Sequence, residues 1–151
     1  MAVEADLNVL RVLLPGEADG ELLRLEKPIS FWGGVDPRTG CISDPRHPQY
    51  GCSVAGRILA TERVVGSSSG SSVIMELLAI GKAPAGLILV EVDAILSLGI
   101  IVGREMGYGS IPVFLVSAET LRRLPPLAAM TTTGQLKELA EIPDALRCLV
   151  S

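Results

Sequence analysis

The seven residues Gly66-Ser67-Ser68-Ser69-Gly70-Ser71-Ser72 constrain the fold more than any other stretch, because they stand between two apolar runs of different character. Upstream, Arg57-Ile58-Leu59-Ala60 reads as a short buried strand. Downstream, Val73 to Gly81 carries apolar residues at helical spacing. The order is therefore strand, small-residue loop, helix. A chain entering a helix this way leaves its first backbone N–H groups without partners, at the positive end of the helix dipole, so the loop favours an anion such as a carboxylate or phosphate. A serine hydroxyl in the same field gives up its proton more easily than one in water. Ser67, first after the glycine, is the candidate for that role. Two plainer readings use the same residues: Gly/Ser tracts form flexible linkers, and serines before a helix form N-caps.

At 151 residues, 48% hydrophobic and 20% charged, the chain has the balance of a single globular domain spanning residues 1–151. Aromatic residues make up only 3%, against 16 glycines and 10 prolines, so an aliphatic core and many tight turns are expected. The net charge of −4 and the lack of clustered Lys and Arg exclude a nucleic-acid footprint. Acids stand at Glu4 and Asp6, where a secretory signal would be basic, and the longest apolar stretch is short and glycine-broken. A cytoplasmic protein with no membrane partner is the expectation.

Cys41, Cys52 and Cys148 form no C-x-x-C pair, and their odd number does not suggest a disulfide framework. Free, mostly buried thiols are expected, and no metal site in this chain. The single His47 lies in the proline-bounded Asp44-Pro45-Arg46-His47-Pro48, where a solvent-exposed imidazole is expected. Any Ser-His-Asp triad would have to use it.

In chain order, Leu7 to Leu14 predicts a strand ending at Pro15-Gly16, and Leu22 to Leu25 a second one after an Asp19-Gly20 turn. Phe31 and Trp32 are expected in core or edge packing, and Gly33-Gly34 allows a close approach by backbone or ligand. Asp36 to Gly40 is a turn. Gly56 to Thr61 is the strand feeding the serine loop, and Gly81 to Pro84 ends the helix after it. Strand Ala85–Val90, helix Ala94–Glu105, strand Ile111–Leu115 and helix Ser117–Leu124, capped by Ser117, then alternate. Such alternation implies parallel strands with helices packed on them. The fold class is a mixed α/β domain, sheet or barrel, with a β-rich N-terminal half. Late strand pieces and a short helix follow within Pro125–Thr133, Leu136–Leu139 and Cys148–Val150.

Several blocks in register, Pro28 to Pro37 with Thr39-Gly40, Asp44-Pro45, Ser53 to Gly56, Gly66 to Ser71 and Ala83-Pro84-Ala85, resemble the small subunit of the aconitase X family. The resemblance implies a swivelling β/β/α domain that docks on a separate large subunit carrying an iron-sulfur cluster. It also implies a dehydratase that removes water from a small β-hydroxy acid, with Ser67 as proton-abstracting base and Gly66, Ser68, Ser69, Gly70 and Ser71 around the substrate. Dehydration of this kind needs a base for the proton beside the carboxylate and a Lewis acid for the hydroxyl; the chain offers the first, and the partner must bring the second. Bacterial members resemble enzymes acting on cis-3-hydroxy-L-proline, and archaeal members resemble enzymes acting on mevalonate 5-phosphate. The archaeal pattern places a basic residue between glycines just before the serine. Arg63-Val64-Val65-Gly66 lacks it, which favours hydroxyproline, although Arg63 stays nearby.

Ser97 to Gly107 with Ile111-Pro112-Val113 is also similar to the swivelling phosphohistidine domains of phosphoenolpyruvate-utilising enzymes. Leu98 occupies the place of their histidine and cannot carry a phosphoryl group, so only the shared fold is implied. A non-catalytic interaction domain capping a partner is the alternative of another class.

Overall fold

The structure, a computed structural model, describes residues 7–66 and 68–140. Two expectations, the strand piece at Cys148–Val150 and the burial of Cys148, lie outside the described residues.

The frame is a curled seven-stranded sheet: β1 (Val9–Leu14), β2 (Ala18–Arg24), β3 (Ile58–Thr61), β4 (Gly86–Leu89), β5 (Val113–Val116), β6 (Leu127–Met130) and β7 (Leu136–Glu138), in the order β1-β5-β4-β3-β2-β6-β7. The four central strands β2 to β5 run parallel; β1, β6 and β7 close the two sides antiparallel. The helical elements are α1 (Phe31–Gly34), a single distorted turn, α2 (Gly70–Ile80), α3 (Ala94–Glu105) and α4 (Ala118–Arg122).

Period-two alternation gives the central strands two apolar faces. Leu59, Leu87, Leu89 and Val113 pack with Val73, Ile74, Leu77, Leu96 and Ile100 of α2 and α3. Ile58, Ala60, Ile88 and Phe114 point the other way, into a second cluster with Leu121, Ala128 and Met130. Two helices thus cover one face, while α4 and the β6–β7 ribbon cover the other.

Helix ends follow the expected chemistry. Gly81 stops α2 in the left-handed conformation at φ 72. Asp93 caps α3 by accepting from the Leu96 N–H at 2.6 Å, and Ser117 caps α4 by accepting from the Thr120 N–H at 3.1 Å.

Three expectations change. Asp19-Gly20 is strand rather than turn: Asp19 pairs with Ala129 and Gly20 with Ala128, and β2 lies between β3 and β6, away from β1. His47 is buried, at 8% exposure. Its Nδ1 accepts from the Gln49 N–H at 3.1 Å, which leaves Nε2, 3.1 Å from the Lys27 carbonyl, as a donor. Both ring nitrogens are thus used in holding the 44–51 loop. Cys41 and Cys52 are free, as expected, but half-buried.

Candidate active site

The serine loop runs from the end of β3 to the start of α2. Val64 forms a parallel bridge with Ile29, and the Val65 N–H donates to the Ile29 carbonyl at 2.9 Å, so the loop leaves the sheet beside the segment that enters α1. Gly66 follows at φ 105. A Cβ there would collide with the Ser30 hydroxyl. Glycine is required twice over, by the positive φ and by the side chain pressed against it.

Ser30 in turn donates to the Trp32 carbonyl at 2.9 Å. This closes a turn that buries Phe31 completely and leaves Trp32 58% exposed. The expected packing of both aromatics therefore holds for Phe31 alone. Gly33 supplies the turn's positive φ of 79, and nothing lies within 4 Å of where its Cβ would stand. At Gly34 a Cβ would stand 3.4 Å from Ile29 Cγ1, so the tightest approach in this region is at Gly66.

Gly66 and Ser68 are exposed, Ser69 and Ser71 half-buried, and Gly70 buried. Ser67 lies outside the described residues. The helix entry is tighter than expected: the N–H groups of Ser71, Ser72 and Val73 donate to the carbonyls of Ser68, Ser69 and Ser69 at 3.2, 3.1 and 3.4 Å. The hydroxyls of Ser71 and Ser72 donate to Ser68 and Ser69 carbonyls at 2.8 and 2.7 Å. The N–H groups of Ser71, Ser72 and Val73 are thus bonded within the loop, and Ser69 at the cap position makes no side-chain cap bond. The tract is a knit turn, which disposes of the linker reading for residues 68–72.

Sequence reasoning missed Ser30. Its signal was the Ser30 to Gly34 block and the isolated Gly66, but the contact joins segments 36 positions apart in the chain. Among the described residues, no three His, Cys, Asp or Glu side chains come together to hold a metal, and no helix is long and apolar enough to cross a membrane.

A parallel-centred sheet with two helices on one face, carrying a serine turn on a strand-to-helix connection, defines an α/β swivel domain. A profile described as the aconitase X swivel domain matches residues 8–137, and the chain belongs to that family. It is 48% identical over 109 residues to cis-3-hydroxy-L-proline dehydratase of Pseudomonas aeruginosa, covering 72% of this chain and 19% of that protein. It is 45% identical over 92 residues to the phosphomevalonate dehydratase small subunit of Thermococcus onnurineus, covering 61% of this chain and 71% of that subunit. Against the crystal structure of Thermococcus kodakaraensis aconitase X in its holo-form, the TM-score is 0.75 at 33% identity, over 87% of this chain and 95% of that one. The chain spans about a fifth of the length of the hydroxyproline dehydratases it matches.

Proposed function

We propose that the chain, as one swivelling domain, is the small subunit of a cytoplasmic hydro-lyase that dehydrates a β-hydroxy acid, and that Ser67 is its base. The observation that carries this reading is the Ser68–Ser72 turn at the entry to α2 in a chain of the aconitase X swivel family. Cis-3-hydroxy-L-proline is the favoured substrate, converted to Δ1-pyrroline-2-carboxylate. Two observations support it: the 48% identity to the Pseudomonas dehydratase, and the absence of a basic residue between Arg63 and Gly66. Mevalonate 5-phosphate is the second substrate considered, because Arg63 is exposed four positions before Ser67.

In this reading Ser67 Oγ, as the alkoxide, takes the proton from the carbon bearing the carboxylate, the electron pair of that C–H bond forms the new double bond, and the C–O bond on the next carbon breaks, its hydroxide leaving as water with a proton supplied from the large subunit's side of the site. The enamine so formed from hydroxyproline tautomerises to the imine. Gly66 and Ser30 fix where the chain turns before the base, while Ser68, Ser69, Gly70 and Ser71 form the floor beneath the substrate carboxylate. The family's iron-sulfur cluster does not fit the described residues of this chain and belongs to the large subunit, which also receives the departing hydroxyl.

Ser67→Ala in the assembled complex tests the reading, with both hydroxy acids offered. A base predicts a fall in turnover of about a hundredfold or more, with melting and partner binding unchanged. A cap predicts a stability loss of about 1 kcal/mol with turnover kept. Retained turnover on the accepted substrate would reject the catalytic role, and turnover by this chain without a partner would reject the two-component reading.

A further inference from the structure

Resting on that two-component reading, we propose that the exposed apolar strip along the α2–α3 seam is the surface on which the large subunit docks, continuous with the serine loop. Helix α3 (AILSLGIIVGRE) carries no charge before Arg104. Its buried side is explained: a Cβ at Gly99 would fall 2.7 Å from both the Ser71 carbonyl oxygen and Ile74 Cγ2, and one at Gly103 would fall 3.0 Å from Leu78 Cδ1. These glycines bring α3 tightly onto α2. Helical spacing sets Ile95, Leu98, Val102 and Met106 beside that glycine line on its outer side, where they are 39, 57, 37 and 55% exposed. A surface helix ordinarily turns charge outward, and a contiguous exposed apolar patch marks an interaction site.

Three observations select the occupant. Helix α3 meets the loop at Gly99, which rests on Ser71, and Leu98 of the strip is the residue next to it. Where the loop leaves the sheet, Trp32 and Val65 are 58% and 41% exposed, in segments joined by the Ser30–Gly66 contact and the Ile29–Val64 bridge. Exposed apolar side chains thus stand on both segments that meet the serine turn, the Ile29–Gly66 junction and α3, as a body closing over it requires. The matched segment is only 19% of the Pseudomonas dehydratase, so most of that polypeptide remains to supply such a body.

The experiment co-expresses tagged chain with an aconitase X large subunit and measures capture and turnover for wild type, Leu98→Glu, Val102→Glu and the control Leu10→Glu. Leu10 is also 58% exposed, but on the edge strand β1. Both strip variants should keep the circular dichroism and melting of the isolated wild type, and capture should fall at least about tenfold; Leu10→Glu should match wild type. Strip variants that capture and turn over like wild type would overturn the inference and leave the two-component reading standing. Wild type that captures nothing would overturn both. A wild-type homodimer made monomeric by Leu98→Glu in light scattering would assign the strip to a second copy instead.

Discussion

The α2–α3 seam and the junction of the serine loop with the Ser30 turn are built by one device used to different ends. In each, a glycine stands where a Cβ has no room: Gly99 under the backbone of Ser71, and Gly66 under the side chain of Ser30. At the seam, the missing side chain lets two regular helices close for good, and helical period decides what is buried. At the junction, it holds an irregular segment in place while leaving it open to solvent. There, burial changes completely between adjacent residues, Phe31 at 0% and Trp32 at 58%. Scaffold and site thus differ in what dictates side-chain direction: a period in one, two special backbone positions in the other.

The largest effect should come from cutting the junction's anchor. Phe31→Ala removes a fully buried ring and should cost about 3–5 kcal/mol in denaturant unfolding. Trp32→Ala, one residue on, should stay within about 0.5 kcal/mol for the isolated chain. Similar losses for the two would mean that the turn does not separate an anchoring residue from a presenting one.

A paired substitution at the two glycines sharpens the contrast. Gly99→Ala pushes into Ser71 backbone and should cost about 1–3 kcal/mol through overpacking. Gly66→Ala meets only the Ser30 side chain but must hold φ 105, which should cost about 1–2 kcal/mol. Because the loop is exposed, it can move to relieve that strain, so turnover of the complex should fall more steeply than melting temperature. Adding Ser30→Gly removes the collision and not the dihedral strain, and should recover part of the loss. Full recovery would mean that the positive φ is incidental.

The same contrast explains what could be read from the sequence. The bounds of helix α3 at Ala94 and Glu105, and the caps Ser117 and Gly81, are legible because period and capping chemistry are local. The strands of the parallel centre followed from apolar runs. Errors arose where a local signal was overruled by a distant partner. Asp19-Gly20 looks like a turn, yet β6 supplies a strand for it to pair with. His47 looks exposed, yet the Lys27 carbonyl and the Gln49 N–H bury it. The site was legible as a loop between strand and helix, but its support by Ser30 was not, and neither was the turning of the helix's first donors onto Ser68 and Ser69.

The smallest effect concerns two matching turns in the segment that follows α1, Asp36-Pro37-Arg38 and Asp44-Pro45-Arg46. Asp36 accepts from the Arg38 N–H at 2.9 Å and from its Nε at 3.4 Å; Asp44 accepts from the Arg46 N–H at 2.9 Å and from its Nε at 3.3 Å. The backbone donor first, and the guanidinium after it, hold both carboxyls below the usual aspartate range. A carboxyl whose folded pKa is depressed stabilises the fold above the unfolded value, about 3.9, and loses that contribution as pH falls through the folded value. Melting temperature should therefore show no contribution from these groups to its pH dependence between neutral pH and about 5, and should fall with acid below about 4. Asp36→Asn with Asp44→Asn keeps an acceptor for each backbone N–H while removing the charge, so the double variant should show a shallower acid slope at little cost near neutrality. Both arginines are at least 85% exposed, so solvent screens these pairs and the change should be small. An acid slope identical to wild type would mean that these turns contribute nothing to the pH dependence, and that the acid sensitivity of the fold originates elsewhere.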